Sequence, residues 1–461
     1  MAGVFRARDV RHDDERTKAM TTRYDNSGAA DWALETRAIH VGQSPDAQTS
    51  ARNLPIYNTT SYVFDSAEHA ANRFNLSDPG PIYTRLTNPT VDAVEQRLAS
   101  LEGGVAGVLF SSGQAAETAA ILTLARAGDH IVTSPRLYGG TETLFKVTLP
   151  RLGIDATFVE NPDDPESWQA AVQDNTVGFY AETIANPLAD ILDVATIAEV
   201  AHRNNVPLIV DNTVATPALL RPLELGADIV VSSTTKYLTG NGSALGGILV
   251  DGGKFDWTQT REGRGDVHPN FTEADEAYHG LKFADLGAPA FALRARAGIL
   301  RDTGAAPAPF NAWVLAQGLD TLALRIERHN SNAQKVAEYL EGRAGVAKVN
   351  YAGLKSSPWY ATQQKLGLAG AGGVLSFDLA DAGKDEAWAF IDALKLHSNV
   401  ANIGDVRSLV VHPATTTHSQ SDEHGLARAG ISQATVRLAV GIENVDDIIA
   451  DLEGAFAAIG K

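Results

Sequence analysis

The sequence predicts an α/β fold: a large, mostly parallel sheet with helices on both faces, followed by a smaller α+β unit. Three observations predict it. Seven short apolar runs, AGVLFSS, HIVTS, DATFVE, VGFYAET, VPLIVDN, ADIVVSS and GGILVDG, recur between about Asn88 and Leu300. Helical patterns such as VDAVEQRLASLEGG separate them. Strands that alternate with helices in this way pair in parallel, and runs that are apolar throughout are buried on both faces. Later strands alternate apolar and polar residues instead (GGVLSFDL, TVRLAVGIE) and lie between helices such as EAWAFIDALKL and VDDIIADLEGAFAAI. That pattern suits a half-covered sheet in a second unit.

The elements follow in order. Residues 1–30 carry the run RARDVRHDDERTK and few apolar residues. Such a stretch buries too little surface to offset its ordering entropy, so a disordered tail is expected, with structure beginning near Trp32. Residues 31–87 lead into the sheet, residues 88–305 form the large unit, and residues 306–461 form the second. A helix from Phe310 to Leu340 is expected to connect the two, because its apolar residues recur at helical spacing throughout.

Composition narrows the function. The chain has 461 residues, enough for two or three domains, and its 56 acidic against 38 basic residues give a net charge of -18. Without a concentrated basic patch, nucleic acid is not an expected partner. The chain contains no cysteine, which excludes disulfides, thiolate metal sites and a cysteine nucleophile. No apolar run is long enough to span a bilayer and no apolar core marks the first 30 residues as a signal peptide, so a cytoplasmic protein is expected. His412, His418 and His424 recur every six residues. This spacing suits neither one helix face nor a zinc pattern, and no metal is expected.

Polar residues gather at the carboxyl ends of the predicted strands, where open α/β sheets bind ligands. ADIVVSSTTK delivers Ser233, Thr235 and Lys236 at one such end. A lysine in a partly dry pocket loses proton affinity and becomes a nucleophile or Schiff-base former, although a solvated lysine after a serine-rich turn has the same sequence. VPLIVDNT ends in Asp211 and Thr213. A buried carboxylate there needs a cation, such as a pyridinium nitrogen, or else a helix to cap. In FSSGQAAETAAILTLA, the Ser112 hydroxyl and the Gly113 and Gln114 amides meet at a helix N-terminus, a phosphate cradle in physical terms and equally an ordinary cap. No Walker-type or G-x-G-x-x-G motif occurs. Tyr138 in SPRLYGGT could stack on a flat ring, Glu182 and Asn186 in ETIANP could bond a ring hydroxyl, and Arg437 in TVRLAVGIE could grip a carboxylate. Tyr83 and Arg85 in PIYTRLTNP share one side of an extended segment.

In order and spacing these residues resemble the Cys/Met-metabolism family of pyridoxal-phosphate enzymes, fold type I, from about Thr36 to Ile459. The resemblance implies that Lys236 carries pyridoxal 5'-phosphate as a Schiff base and acts as the catalytic base, assisted by Tyr138 over the ring. It implies Ser233, Thr235, Ser112, Gly113 and Gln114 around the phosphate, Asp211 on the ring nitrogen with Thr213 beside it, and Asn186 near the ring hydroxyl. Arg437 matches the family's clamp for the substrate α-carboxylate, with Ser408 and Glu182 assigned to the same substrate side. Tyr83 and Arg85 match an element that reaches the cofactor of a neighbouring subunit, which implies a homotetramer built as a dimer of dimers. The segments HPNFTEADEAYHGLKF and LRDTGAAPAPFNAWVLAQGLDTLALRIERH are similar to those of members that convert O-acetylhomoserine and sulfide to homocysteine and acetate in methionine biosynthesis. Gly140, two residues after Tyr138, stands where γ-lyases carry cysteine. Alternatives on the same fold are a cystathionine γ-synthase, an O-succinylhomoserine sulfhydrylase or a γ-lyase, and, more distantly, a non-catalytic binding protein.

Overall fold

A computed structural model describes residues 26, 29–46, 48–75, 77–78, 80–419 and 423–461. Most of the tail expected over residues 1–30 therefore lies outside the described residues, as does the side chain of His424.

All seven apolar runs become strands of one sheet: β1 (Ala106–Phe110), β2 (His130–Thr133), β3 (Asp155–Phe158), β4 (Thr176–Glu182), β5 (Leu208–Asp211), β6 (Ile229–Ser232) and β7 (Gly247–Asp251). Their order is β1-β7-β6-β5-β4-β2-β3. The five strands β2 to β6 pair in parallel, and β7 runs antiparallel to both β1 and β6. Successive side chains enter separate cores on the two faces: Leu208, Val210 and Val230 on one, Ile209, Ile229 and Val231 on the other. Burial on both faces is why these runs read as continuous rather than alternating.

Helix ends follow their sequence signals. Asn88 caps Pro89–Glu102 by accepting from the Thr90 and Val91 amides, and Gly103, at φ 80°, closes it in the left-handed conformation. Leu34–His40 packs against this helix; Arg37 donates to the Ser100 carbonyl at 2.5 Å and Arg97 to the Val41 carbonyl at 3.0 Å.

The single helix expected from Phe310 to Leu340 is two helices, Pro309–Leu319 and Leu322–Glu341. Helical spacing continues across the junction, so periodicity gives no sign of it. Tertiary contacts break it: the Asp320 carboxylate leaves to pair with Arg97 at 3.0 Å, and the Arg325 guanidinium bonds the Tyr237, Leu238 and Gly318 carbonyls. Through Arg325 the long helix is fastened to the turn that follows Lys236.

The second sheet has five strands, in the order Val346–Asn350, Val374–Leu379, Thr435–Ala439, Leu409–Val411 and Ser398–Asn399. Arg437 lies on its central strand, paired with Ser376 and Val411.

Candidate active site

The parallel register brings three strand ends together, with Glu182 of β4 opposite Asp211 of β5 and Asp211 opposite Val231 of β6. Above them opens a cavity of about 1020 Å³, walled on the far side by Asn402, Ile403, His418 and Arg437. It sits where parallel sheets bind ligands, at the carboxyl ends of the strands. Of the residues singled out from sequence, Ser112, Gly113, Gln114, Tyr138, Glu182, Asn186, Asp211, Thr213, Ser233, Thr235, Lys236 and Arg437 all line it.

Lys236 follows β6 on a turn in which its amide donates to the Ser233 carbonyl at 3.3 Å. Its Nζ donates to the Asn402 side-chain oxygen at 2.5 Å. Burial, with Arg437 adding like charge, lowers its pKa to about 8. Asp211 accepts from the Thr213 amide at 2.7 Å, and burial raises its carboxyl to about 6 despite that bond. The Thr213 hydroxyl in turn accepts from the Ser233 amide at 2.8 Å, tying the two strand ends together. Glu182 accepts from the Tyr138 amide at 2.5 Å. Burial first, then neighbouring Asp211, pushes Glu182 well above the usual carboxylate range.

Helix Gly113–Leu124 starts against the lysine turn. Ser112 accepts from the Ala115 amide at 3.1 Å, so its hydroxyl is engaged as a cap. A Cβ at Gly113 would stand 2.7 Å from the Ser233 Cβ, so only glycine allows this approach. The Gly113 and Gln114 amides, at the helix start, and the Ser233 side chain thus line one end of the cavity together. The Thr235 hydroxyl faces the cavity while bridging Gly246, accepting from its amide at 3.1 Å and donating to its carbonyl at 3.2 Å. Tyr138 is 46 % exposed and lines the cavity.

Arg437 is 2 % exposed; its Nη1 donates to the Asn186 side-chain oxygen at 3.3 Å and its Nη2 to the Asn402 carbonyl at 2.9 Å. Its Nε is buried without a partner, and no carboxylate among the described residues pairs with it. Burial lowers its pKa to about 10, which leaves it cationic at neutral pH. A guanidinium held this way is a binding site for an incoming carboxylate.

One expectation is placed differently. Ser408 does not line the cavity: its hydroxyl donates to Glu443 at 3.0 Å and accepts from the Gly441 amide at 3.0 Å, closing a turn behind the sheet. The residue beside Arg437 is Asn402, which the sequence reading missed. Its position depends on Gly404, at φ 72°, where a Cβ would come within 2.5 Å of the Tyr237 amide nitrogen. Only that close approach brings the segment ANIGD to the lysine. Tyr83 and Arg85 also lie outside this cavity. Arg85 bonds the Arg301 carbonyl and lies 5.6 Å over the Tyr83 ring, and Tyr83 is exposed. Among the described residues no group of three or more His, Asp or Glu side chains could hold a metal ion.

This cavity combines a lysine of lowered pKa, an acidic floor with no cation beside Asp211, and a backbone cradle at a helix start. Those features fit pyridoxal phosphate, which needs an amine for its aldehyde, an anion for its ring nitrogen and N–H donors for its phosphate. Residues 35–457 match the family model described as "Cys/Met metabolism PLP-dependent enzyme". The chain belongs to this family.

Among Cys/Met metabolism enzymes it is 72% identical over 437 residues to an O-acetyl-L-homoserine sulfhydrylase of Corynebacterium glutamicum, covering 95% of this chain and 100% of that one. It is 49% identical to an O-acetyl-L-homoserine sulfhydrylase of Leptospira meyeri, over 92% of this chain and 97% of that one. A solved structure of a Campylobacter jejuni protein assigned as an O-acetylhomoserine (thiol)-lyase superposes with a TM-score of 0.88 at 41% identity, covering 93% of this chain and 100% of that chain. That protein carries an N'-pyridoxyl-lysine-5'-monophosphate residue. The present chain is thus a pyridoxal-phosphate enzyme of fold type I. No helix among its described residues is long and apolar enough to cross a membrane.

Proposed function

We propose that this Cys/Met metabolism enzyme replaces the γ-acetoxy group of O-acetyl-L-homoserine with sulfide, giving L-homocysteine and acetate, a step in methionine biosynthesis. The observation that carries the reading is the presence in one cavity of an amine with a pKa of about 8, Lys236, and a buried guanidinium without a carboxylate partner, Arg437. The names of the relatives above point to the same reaction. Bound pyridoxal phosphate supplies the electron sink that makes the Cα proton removable.

The protein's own residues do the rest. Lys236 would hold the cofactor at rest, and its free Nζ takes the substrate's Cα proton as general base. Arg437 binds the α-carboxylate and so orients the Cα proton toward that amine. Asp211, ionised, would pair with the ring nitrogen and keep the ring protonated, and the amides of Gly113 and Gln114 would hold the phosphate. Removal of a Cβ proton then lets the Cγ–O bond break with acetate as leaving group, the Cγ–S bond forms with hydrosulfide, and the Cα and Cβ protons are returned, so that no electrons are lost or gained overall. With no cysteine in the chain, the sulfur comes from the second substrate.

The exposure of Val63, Phe74 and Tyr83 supports residues 31–87 as an arm lying partly on a second copy. Tyr83 and Arg85 then serve the neighbour's phosphate in a homotetramer, a cytoplasmic enzyme working on small molecules. The division into residues 88–305 and 306–461 follows the two sheets. Incubating the enzyme with O-acetyl- or O-succinylhomoserine, with sulfide, cysteine or neither, tests the reading. Homocysteine from the acetyl ester and sulfide is expected; cystathionine or 2-oxobutanoate as the main product would replace the reading with a γ-synthase or γ-lyase.

A further inference from the structure

Glu117 is out of place on its helix. In GQAAETAAILTL it sits among alanines, one turn beyond the amides of the phosphate cradle, 2 % exposed, and it reaches the cavity floor. Its Oε2 accepts from the Thr141 hydroxyl at 3.0 Å. Its Oε1 is buried without a partner, and so is the Tyr180 hydroxyl. Thr141 belongs to the short helix Gly139–Thr143, which Tyr138 begins. The Tyr138 turn therefore has two tethers, Glu182 to the Tyr138 amide and Glu117 to Thr141.

The groups facing Glu117 are Asp211 from β5, Tyr180 and Glu182 from β4, and Thr141. None is a cation. Three carboxyls from three elements share this floor, and once Asp211 is ionised against a ring nitrogen a second charge beside it is strongly disfavoured. Burial first, then Asp211, holds Glu117 well above the carboxylate range.

We propose that Glu117 is a positioning residue: by accepting from Thr141 it ties the turn carrying Tyr138 to the helix that opens the phosphate cradle, so that the ring and phosphate ends of the cofactor are held by one rigid unit. The inference rests on reading this cavity as the pyridoxal-phosphate site and the reaction as the sulfhydrylation above.

The test uses the holoenzyme and its Glu117→Ala, Glu117→Gln and Thr141→Val variants. Two quantities are read: the dissociation constant of pyridoxal phosphate, from visible absorbance on titrating resolved protein, and kcat and KM with O-acetylhomoserine and sulfide. Losing this bond with its partner left buried corresponds to about tenfold weaker cofactor binding in both Glu117→Ala and Thr141→Val. kcat falls with it while the KM for sulfide stays, and the double variant is no worse than either single one. Glu117→Gln keeps an acceptor for Thr141, so it recovers most of both quantities. Equal damage from Glu117→Gln and Glu117→Ala, or a Thr141→Val enzyme that binds cofactor like the parent, overturns the proposal. If Glu117→Ala does not fold, the other two variants still decide. A parent holoenzyme that makes no homocysteine would remove the assigned reaction and leave the cofactor measurements standing.

Discussion

Lys236 Nζ donates to the Asn402 side-chain oxygen at 2.5 Å, and the carbonyl of the same asparagine accepts from Arg437 at 2.9 Å. Asn402 therefore couples the two cations of the site without adding charge. In the cofactor-free protein its amide oxygen favours the ammonium form of Lys236, against the burial that lowers the pKa to about 8. Only the neutral amine attacks an aldehyde. The rate at which resolved enzyme takes up pyridoxal phosphate should rise with pH up to about 8 and then level, and Asn402→Ala should move that midpoint lower. Stopped-flow absorbance between pH 6 and 9 checks this; a midpoint that stays put or rises would mean the bond does not act on the amine.

Arg437 yields a second expectation. Its guanidinium is buried and its Nε has no partner, so a substrate carboxylate brings the charge that the site lacks. Arg437→Lys keeps the charge and loses the fork, which should raise the KM for O-acetylhomoserine by about 10- to 100-fold, the scale of one charge-assisted bond. The smaller effect should fall on kcat. A fall in kcat at unchanged KM would show that Arg437 acts in the chemical step rather than in binding.

The contrast between Arg437 and Ser408 shows what the sequence could convey. Strand-end residues such as Asp211 and Lys236 were legible because an apolar strand has a definite end, and a parallel sheet aligns such ends. The seven strands were legible for the same reason. Asn402 was not: it lies on an irregular segment, and its place depends on Gly404 packing against the Tyr237 backbone, a contact between distant parts of the chain. Ser408, on the same stretch, looked equally suited but turns to Glu443. The break at Asp320 and Thr321 was hidden likewise, since partners distant in sequence, Arg97 and the Tyr237 turn, impose it. Glu117 left a faint sign, one acid in an alanine-rich helix start, though nothing in sequence said which face it takes.

Gly140 supports a third prediction. A Cβ there would stand 2.5 Å from Cε1 of the Tyr138 ring, so the ring can fold back over residue 140 only because that residue is glycine. Gly140→Ala should displace the ring from its place on the cavity, at little cost to folding because the exposed side chain can swing away. Because the clash falls on a side chain that lines the cavity, the effect should appear in kcat, lowered about tenfold, with the melting temperature little changed. Parallel kinetics and thermal melts check this, and full activity would mean that the Tyr138 ring position does not matter to turnover.

The last prediction concerns pH and a carboxyl next in line behind Asp211. Glu102, 1 % exposed at the end of helix Pro89–Glu102, accepts from the Asn212 amide at 3.1 and 3.2 Å. Burial raises its pKa from 4.5 to about 8, against the lowering effect of Asn212. Between those two values the folded chain keeps a proton that the unfolded chain has released. Its contribution to stability is therefore fully present below the unfolded value and is lost as pH rises through the folded one, with a ceiling of about 5 kcal/mol. Glu102→Gln keeps an acceptor for Asn212 and carries no titrating proton. Relative to the parent, that variant should grow more stable as pH is raised from 5 to 8, measured as the difference in melting temperature at each pH. A difference that stays constant across the range would show that Glu102 titrates alike in the folded and unfolded chain. It would then be a carboxylate held charged inside the protein, stabilised by the Asn212 side-chain amide and by neighbouring Arg221.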